Sequence, residues 1–185
     1  RGTRRAARRA LPRGGAEGRA VRFAYADPPY LGCGARYDHP AAMSWNEVGS
    51  HLDLIDRLYR DYPDGWALSL NSPSLHTLLP ACRATVRVAA WVKPFAVFKP
   101  NVNPAYAWEP VLFDGGRRGD RTRATVRDWH SANITLKKGL VGAKPATFCA
   151  WILDLLGFEP GDELDDLFPG TGIMGETVAA LPRVP

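Results

Sequence analysis

Short apolar segments alternate along this chain with segments of helical periodicity, and this alternation constrains the fold more than any other feature. Strands that alternate with helices form a mostly parallel sheet with helices on both faces. The 185 residues suffice for one such α/β domain with a substantial core. The segments predicted as strands are Val21–Ala26, Trp66–Leu70, Thr85–Val92, Glu109–Phe113 and Glu163–Leu167.

Signals at helix ends place four helices between and after these strands. Ser44 followed by Glu47 forms a capping box, which predicts a helix start. Gly157 is a typical C-terminal stop. The predicted helices begin at Ser44, cover Ser74–Ala81 and Ala146–Leu156, and the last begins at about Ile173. We expect Trp45, Trp66, Trp91 and Trp151 to lie in the core.

The net charge of +5 is concentrated in two segments. Residues 1–20 hold seven Arg and one Glu, and residues 114–138 hold seven basic and three acidic side chains. Such patches suit a phosphate backbone, and Trp129 and His130 in the second segment could stack on bases. For residues 1–20, a flexible arm that is merely solvated is an equal alternative. The basic residues of the second segment are Arg117, Arg118, Arg121, Arg123, Arg127, Lys137 and Lys138.

The cysteines and the apolar segments bear on where the protein works. Cys33, Cys82 and Cys149 are odd in number and show no metal-binding spacing, which favours a reduced, cytoplasmic protein without a metal. No apolar run approaches the roughly 20 residues that cross a bilayer. The first 15 residues lack the apolar region of a secretory signal, so we expect neither a membrane nor an export role.

The first predicted strand ends in Asp27-Pro28-Pro29-Tyr30, which suits recognition of an amine. The Pro28 ring fixes the direction of its carbonyl and brings no competing N–H. The Asp27 carboxylate and this carbonyl are two acceptors for the two hydrogens of one amino group, whose lone pair then points outward. Tyr30 could stack on the heterocycle that carries the amine. The alternative is a strand that ends in an ordinary turn.

The last predicted strand ends in DLFPGTG, residues 166–172. Gly170 and Gly172 allow close approach of a ligand to the backbone before a helix. The segment lacks the Lys of a P-loop and the third glycine of a dinucleotide fingerprint, so a cofactor site and a tight turn both remain open. Ligands of such sheets bind beyond the carboxyl ends of strands. If the two strands are neighbours, both loops therefore open onto one crevice.

These motifs together resemble the amino-group DNA methyltransferases, which use S-adenosylmethionine (SAM). Asp27 to Tyr30 resembles their catalytic DPPY motif, and residues 166–172 resemble their cofactor loop, with Leu167 and Thr171 as departures. Lys144-Pro145 resembles the Lys-Pro element before that loop. The catalytic motif comes first, which is the permuted order of the β group, shared by the mRNA adenosine methyltransferases. WVKP (91–94) and YAWEPVLF (106–113) resemble the middle of such enzymes from actinobacteria and their phages.

The resemblance implies a circularly permuted, Rossmann-like methyltransferase domain over residues 21–185, preceded by a basic arm over residues 1–20. It implies SAM as cofactor and adenine in DNA, or alternatively RNA, as substrate, and leaves homo- or hetero-oligomers open. The implied catalytic residues are Asp27, Pro28, Pro29 and Tyr30, and the implied cofactor residues are Lys144, Asp166, Phe168, Pro169, Gly170, Thr171 and Gly172.

The sequence departs from this family after the cofactor loop. The family's acid that holds the ribose hydroxyls is not visible, so either the last strands of the fold are lacking or another residue, such as Asp162 or Asp165, replaces it. This departure favours the alternative of a catalytically silent nucleic-acid-binding or scaffolding relative. Glu109 occupies a position that resembles a family acid, and there we expect a structural role.

Overall fold

The computed structural model describes residues 21–37, 39–95, 102–119, 124–135 and 143–182. The basic arm of residues 1–20 lies outside these ranges, so its role stays a prediction. The same holds for four of the seven basic residues assigned to nucleic-acid binding, namely Arg121, Arg123, Lys137 and Lys138.

Six strands of the described residues form one sheet. They are β1 (Arg22–Ala26), β2 (Gly65–Ser69), β3 (Arg87–Val92), β4 (Trp108–Gly115), β5 (Trp129–Ser131) and β6 (Glu163–Asp166). Their order across the sheet is β5-β3-β4-β2-β1-β6. β4 is antiparallel to both of its neighbours, whereas the remaining pairs are parallel. The prediction of a mostly parallel sheet is confirmed.

The antiparallel direction of β4 follows from the connection that precedes it. Residues 93–107 link β3 to β4, and the two strands pair directly from Arg87 opposite Phe113 to Val92 opposite Trp108. Antiparallel neighbours need no helical crossover, unlike parallel ones. The Pro- and Asn-rich composition of this connection disfavours a helix.

Helices cover both faces of the sheet. The helices are α1 (Val48–Asp61), α2 (Leu75–Leu78), α3 (Ala146–Leu156) and α4 (Ile173–Ala179). On one face, Leu54, Ile55 and Leu58 of α1 pack with Trp66, and on the other face α3 and α4 pack with β1 and β3. Each fully buried side chain of this kind contributes about 1.5–3 kcal/mol. Of the described helices, none is long and apolar enough to cross a membrane.

Some predicted boundaries are correct and others are wrong. Ala146–Leu156 is helical as predicted, and Gly157 ends it in the left-handed conformation with φ of +65°. The capping box at Ser44 is wrong, because Ser44 lies in a 3-10 helix (Pro40–Asn46) and donates to the carbonyl of Ala41.

The segment predicted as a helix at 74–81 is only partly α-helical. The Asn71 side chain caps a 3-10 turn (Ser72–Ser74), and a second 3-10 turn (Leu79–Ala81) that contains Pro80 follows α2. Proline removes a backbone donor, which limits α2 to a single turn. β5 was not predicted at all, since three residues within a charged segment give no periodic signal.

Candidate active site

The sheet order brings the two predicted loops together. β1 and β6 are parallel neighbours with Tyr25 opposite Asp166, and the Leu167 amide donates to the Tyr25 carbonyl over 2.9 Å. Asp27 and the 166–172 loop therefore leave the sheet side by side. We call this side the carboxyl edge, defined by the residues that follow β1, β2, β3 and β6.

The Asp27 carboxylate at this edge is paired with Lys144. The Lys144 ammonium lies 2.7 and 2.6 Å from the two carboxylate oxygens of Asp27. Both side chains are largely covered, with 6% of Lys144 and 18% of Asp27 exposed. Lys144 stands just before α3, where the extended backbone of Pro145 begins the helix. A residue that the resemblance assigns to the cofactor thus contacts the predicted catalytic carboxylate.

Aromatic rings surround this ion pair. The Lys144 ammonium lies 5.5 Å from the ring centroid of Tyr30, 5.8 Å from that of Trp91 and 5.9 Å from that of Phe148. A cation within about 6 Å of a ring face is attracted to it, more strongly where water is excluded. The ammonium of the pair therefore lies among three aromatic rings, which we call the aromatic cage (Tyr30, Trp91 and Phe148).

Glu109 and Lys93, which are not among the predicted site residues, hold the Tyr30 hydroxyl in place. The hydroxyl donates to Glu109 over 2.7 Å, and the Lys93 ammonium donates to the other oxygen of Glu109 over 2.7 Å. Glu109 lies in β4, opposite Trp91 of β3. Lys93 follows Trp91 by two residues. Lys93 belongs to the segment WVKP and Glu109 to the segment YAWEPVLF. The family resemblance of these segments was therefore the signal that could have identified both residues. The structural role expected for Glu109 thus includes a direct hydrogen bond with Tyr30.

Burial determines the protonation of these groups. Burial raises the pKa of Asp27, and the Lys144 ammonium opposes this shift. Burial, together with the nearby Asp27 and Glu109 carboxylates, holds the pKa of the Tyr30 phenol well above its ordinary value. Tyr30 therefore stays a neutral hydrogen-bond donor near pH 7. Burial also raises the pKa of Asp166, opposed by the hydrogen bond from the Phe168 amide.

The 166–172 loop has the open backbone that its glycines suggested. Gly170 and Gly172 have φ of +47° and +79°. A Cβ added at Gly172 would meet no other atom of the described residues within 4 Å, and one at Gly170 would meet only the Phe168 carbonyl oxygen, at 3.8 Å. Pro169 is exposed and Thr171 is half-buried. This loop therefore presents accessible backbone to the carboxyl edge.

A tryptophan supports this loop from below. The Phe168 ring packs edge-on against Trp45, with 5.1 Å between ring centroids. Trp66, Trp91 and Trp151 are buried as predicted, and Trp45 is partly buried and packs against the core cluster that contains Trp66. Trp45 lies in the 3-10 helix that replaced the predicted capping box, and sequence periodicity gave no signal for its contact with Phe168.

The two acids considered for the ribose hydroxyls have other partners. Asp162 precedes β6, at the opposite edge of the sheet, and accepts hydrogen bonds of 2.7 and 2.8 Å from Arg117. Asp165 accepts from the Tyr62 hydroxyl over 2.7 Å and pairs with Arg22. Both carboxylates therefore stabilise the fold, and neither lies in the 166–172 loop.

The described part of the basic segment divides into structural and exposed residues. Arg117, predicted to bind nucleic acid, forms ion pairs with Asp162 and with Glu159. Arg118 is exposed, and the Arg127 guanidinium lies 5.4 Å from the ring centroid of Trp129. Trp129 is 46% exposed. Arg118, Arg127 and Trp129 remain available for a ligand.

His130 has a different environment from its neighbour Trp129. Its ring stacks on Trp151, with 5.7 Å between centroids, so it packs inward rather than toward a base.

Within the described ranges, no group of three or more His, Cys, Asp or Glu side chains could hold a metal ion. The ionisable side chains described above at the carboxyl edge are those of Asp27, Tyr30, Lys93, Glu109, Lys144 and Asp166.

Comparison with known proteins identifies this architecture. No protein-family model and no curated protein sequence matches the chain. Solved structures do match. A complex of M1.HpyAVI with SAM has a TM-score of 0.58 at 16% identity, over 89% of this chain and 79% of that one. A second structure of M1.HpyAVI has a TM-score of 0.52 at 16% identity, over 89% and 77%.

A third structure extends the match to another protein. TTHA0409, a suggested DNA modification methylase from Thermus thermophilus, has a TM-score of 0.51 at 17% identity, over 86% of this chain and 76% of that one. The aligned shares include most of each chain, so the likeness concerns the whole domain. This chain therefore has the fold of M1.HpyAVI and TTHA0409, a mixed, mostly parallel sheet of Rossmann type flanked by helices.

Proposed function

We propose that this protein is a SAM-dependent methyltransferase that acts on the exocyclic amine of adenine in DNA. One observation carries the proposal: Asp27 and the 166–172 loop stand side by side at the carboxyl edge, where this class of sheet binds ligands. The fold supports it, because it is shared with a SAM complex of M1.HpyAVI and with a suggested DNA modification methylase.

The 166–172 loop fits SAM as a ligand. The positive φ of Gly170 and Gly172 and the open space around both residues leave backbone accessible for close approach. When bound, SAM would supply an activated methyl group on a sulfonium. The residues proposed to hold it are Asp166, Phe168, Pro169, Gly170, Thr171 and Gly172.

Asp27 and Pro28 are proposed to hold the target amine. An acceptor on each residue would bind one hydrogen of the amino group and leave its lone pair directed away from both. As the nitrogen forms its fourth bond it gains positive charge, which the Asp27 carboxylate stabilises without moving. Orientation of this kind supplies a large part of the rate enhancement of a two-reactant step.

Tyr30 is proposed to stack on the adenine ring. A base within a duplex must leave the helix to reach a buried carboxylate, and an aromatic ring replaces part of the stacking that it loses. The hydrogen bonds from Tyr30 to Glu109 and from Lys144 to Tyr30 fix the phenol before a base arrives. This preorganisation reduces the entropy cost of binding.

The proposed function is tested by incubating the protein with labelled SAM and separate pools of DNA and RNA. We expect labelled N6-methyldeoxyadenosine in the DNA digest by nucleoside mass spectrometry. Label only in RNA would favour the RNA adenosine alternative. No label in either pool, together with no heat of SAM binding in calorimetry, would favour the silent relative.

The state of the cysteines supports a place in the reducing cytoplasm. Cys33, Cys82 and Cys149 are all free thiols. Burial raises the pKa of the thiols of Cys82 and Cys149 to about 11, so both are poor nucleophiles near pH 7. We propose no catalytic cysteine.

Replacing Tyr30 separates ring stacking from its hydroxyl group. We expect Tyr30→Ala to lower kcat/KM through loss of one base-stacking contact, which contributes about 1–3 kcal/mol. Tyr30→Phe keeps the ring and should cost less, because only the bonds with Glu109 and Lys144 disappear. Steady-state kinetics on one DNA substrate measures both. Equal losses in the two variants would contradict a stacking role.

The exposed part of the basic segment predicts salt-dependent binding. Replacing both Arg118 and Arg127 with Ala should weaken DNA binding and reduce the steepness of log affinity against log salt by about 0.9 for each phosphate that is no longer neutralised. Arg57→Ala on α1 is the control, since that arginine is also exposed but pairs with Asp61. Fluorescence anisotropy at several salt concentrations provides the measurement. An unchanged slope would show that these arginines are only solvated.

A further inference from the structure

The burial of Lys144 demands a partner. Lysine is among the residues least often buried, yet only 7% of this residue is exposed. Removing an ammonium from water costs several kcal/mol unless charge and hydrogen bonds compensate. Both oxygens of Asp27 and the Tyr30 hydroxyl accept hydrogen bonds from the ammonium, at 2.7, 2.6 and 3.2 Å. Two of these acceptors belong to the site proposed for the target amine.

The position of Lys144 is fixed by its neighbours in the fold. Ala143 and Lys144 are both buried, and α3 begins two residues later. Phe148 in the first turn of α3 is fully buried, and its ring both contacts Trp91 and faces the ammonium. The residues that lead into α3 thus hold the ammonium against Asp27 and among the rings of the aromatic cage.

We propose that Lys144 is a positioning residue of the target-amine site, which holds the Asp27 carboxylate charged and in one orientation for the incoming amine. The inference rests on the proposed function and assigns Lys144 to Asp27, where the family resemblance assigned it to the cofactor or to a phosphate. A carboxylate has about four lone pairs, so an ammonium that uses one on each oxygen leaves acceptors for an amine.

The surroundings explain why Asp27 needs this cation. Burial disfavours the charged form, and the nearby Glu109 carboxylate acts in the same direction. Lys144 is the group that most strongly opposes them. A protonated carboxyl would present an O–H donor on one oxygen and would lose the negative charge that stabilises the positive charge developing on the nitrogen. Among the residues that the structure describes, the ionisable groups that interact with Asp27 include Tyr25, Tyr30, Tyr37, Glu109, Lys144, Cys149 and Asp166.

The test is a direct titration of Asp27 by NMR with ¹³C-carboxyl-labelled aspartate, using Asp27→Asn to assign the resonance. Neither DNA nor SAM is present. We expect Lys144→Met, which keeps the length of the side chain but removes its charge, to raise the titration midpoint by at least about one pH unit. Lys144→Arg restores the charge and should bring the midpoint back toward the wild-type value. An unchanged midpoint in folded Lys144→Met would overturn the inference.

Single-turnover methylation across pH gives the matching functional readout. The acid limb of the Lys144→Met profile should move to higher pH together with the NMR midpoint, and the rate should recover at high pH except for the part that is lost with the orientation of Asp27. An acid limb and a midpoint that both stay at their wild-type pH, with weaker SAM binding, would assign Lys144 to the cofactor instead and overturn the inference. If Lys144→Met does not fold, the wild-type chain still decides, because the Lys144 ε-carbon resonance must shift as Asp27 titrates.

The two proposals fail in distinguishable ways. If the protein methylates DNA but the titration midpoint of Asp27 is the same with and without Lys144, the positioning role is rejected and the proposed function stands. If the midpoint depends on Lys144 but the protein transfers no methyl group, the proposed function is rejected and the ion pair has no catalytic role.

Discussion

Asp27→Asn is expected to lower the rate of methyl transfer by about 100- to 1000-fold, the usual loss when one preorganised electrostatic contact to a transition state is removed. The affinity for SAM should change little, since Asp27 is proposed to contact the amine and not the cofactor. Single-turnover kinetics and calorimetry measure the two quantities. Near-normal turnover would reject Asp27 as the residue that holds the amine.

This substitution also removes the partner of a buried ammonium. Breaking one side of a buried ion pair costs about 3–5 kcal/mol of stability, so thermal unfolding must be measured beside activity. The double variant Asp27→Asn with Lys144→Met removes both charges and should recover part of the stability, but no activity. Asp53→Asn on an exposed position of α1 is the control for the loss of a surface carboxylate.

The pH dependence follows from the same burial. The pKa of Asp27 is raised, so wild-type activity should fall as the pH decreases through a value above the ordinary aspartate pKa of about 3.9. Activity falls in this direction because methyl transfer needs the charged Asp27 carboxylate, which is lost as the pH falls through that pKa.

Gly170→Val is expected to abolish measurable SAM binding in a folded protein. A branched side chain would enter the space beside the loop where the cofactor is proposed to lie, and its φ of +47° disfavours a β-branched residue. The backbone strain alone should cost about 1–3 kcal/mol of stability. Calorimetric titration with SAM gives the affinity, and circular dichroism shows whether the fold persists.

Gly161→Val provides a matched control for this strain. Gly161 also has a positive φ, +100°, and an added Cβ there would meet no described atom within 4 Å, but it precedes β6 at the opposite edge of the sheet. It should therefore lose stability and keep SAM affinity. Normal binding by Gly170→Val would mean that the 166–172 segment is an ordinary turn and that the cofactor binds elsewhere.

Features that depend only on residues close together along the chain could be predicted from the sequence. The α/β class followed from apolar segments that alternate with helical ones, and Ala146–Leu156 was placed correctly because Pro145 and Gly157 are strong local signals at its ends. The ends of β1 and β6 were likewise predicted from their own composition, since Pro28 and Pro29 end a strand and Gly170 and Gly172 open a turn. Their proposed chemistry still awaits experiment.

The tertiary structure alone decided how these parts meet. Lys144 is 117 residues from Asp27 and Glu109 is 79 residues from Tyr30 along the chain, so no local pattern could pair them. The order of the sheet places them together, and it depends on which apolar faces bury each other. The same packing overrode the local capping signal at Ser44 and paired Arg117 with Asp162, which lies 45 residues away along the chain. Local sequence signals thus determined the helices and strands, whereas the burial of their apolar faces against one another determined the site.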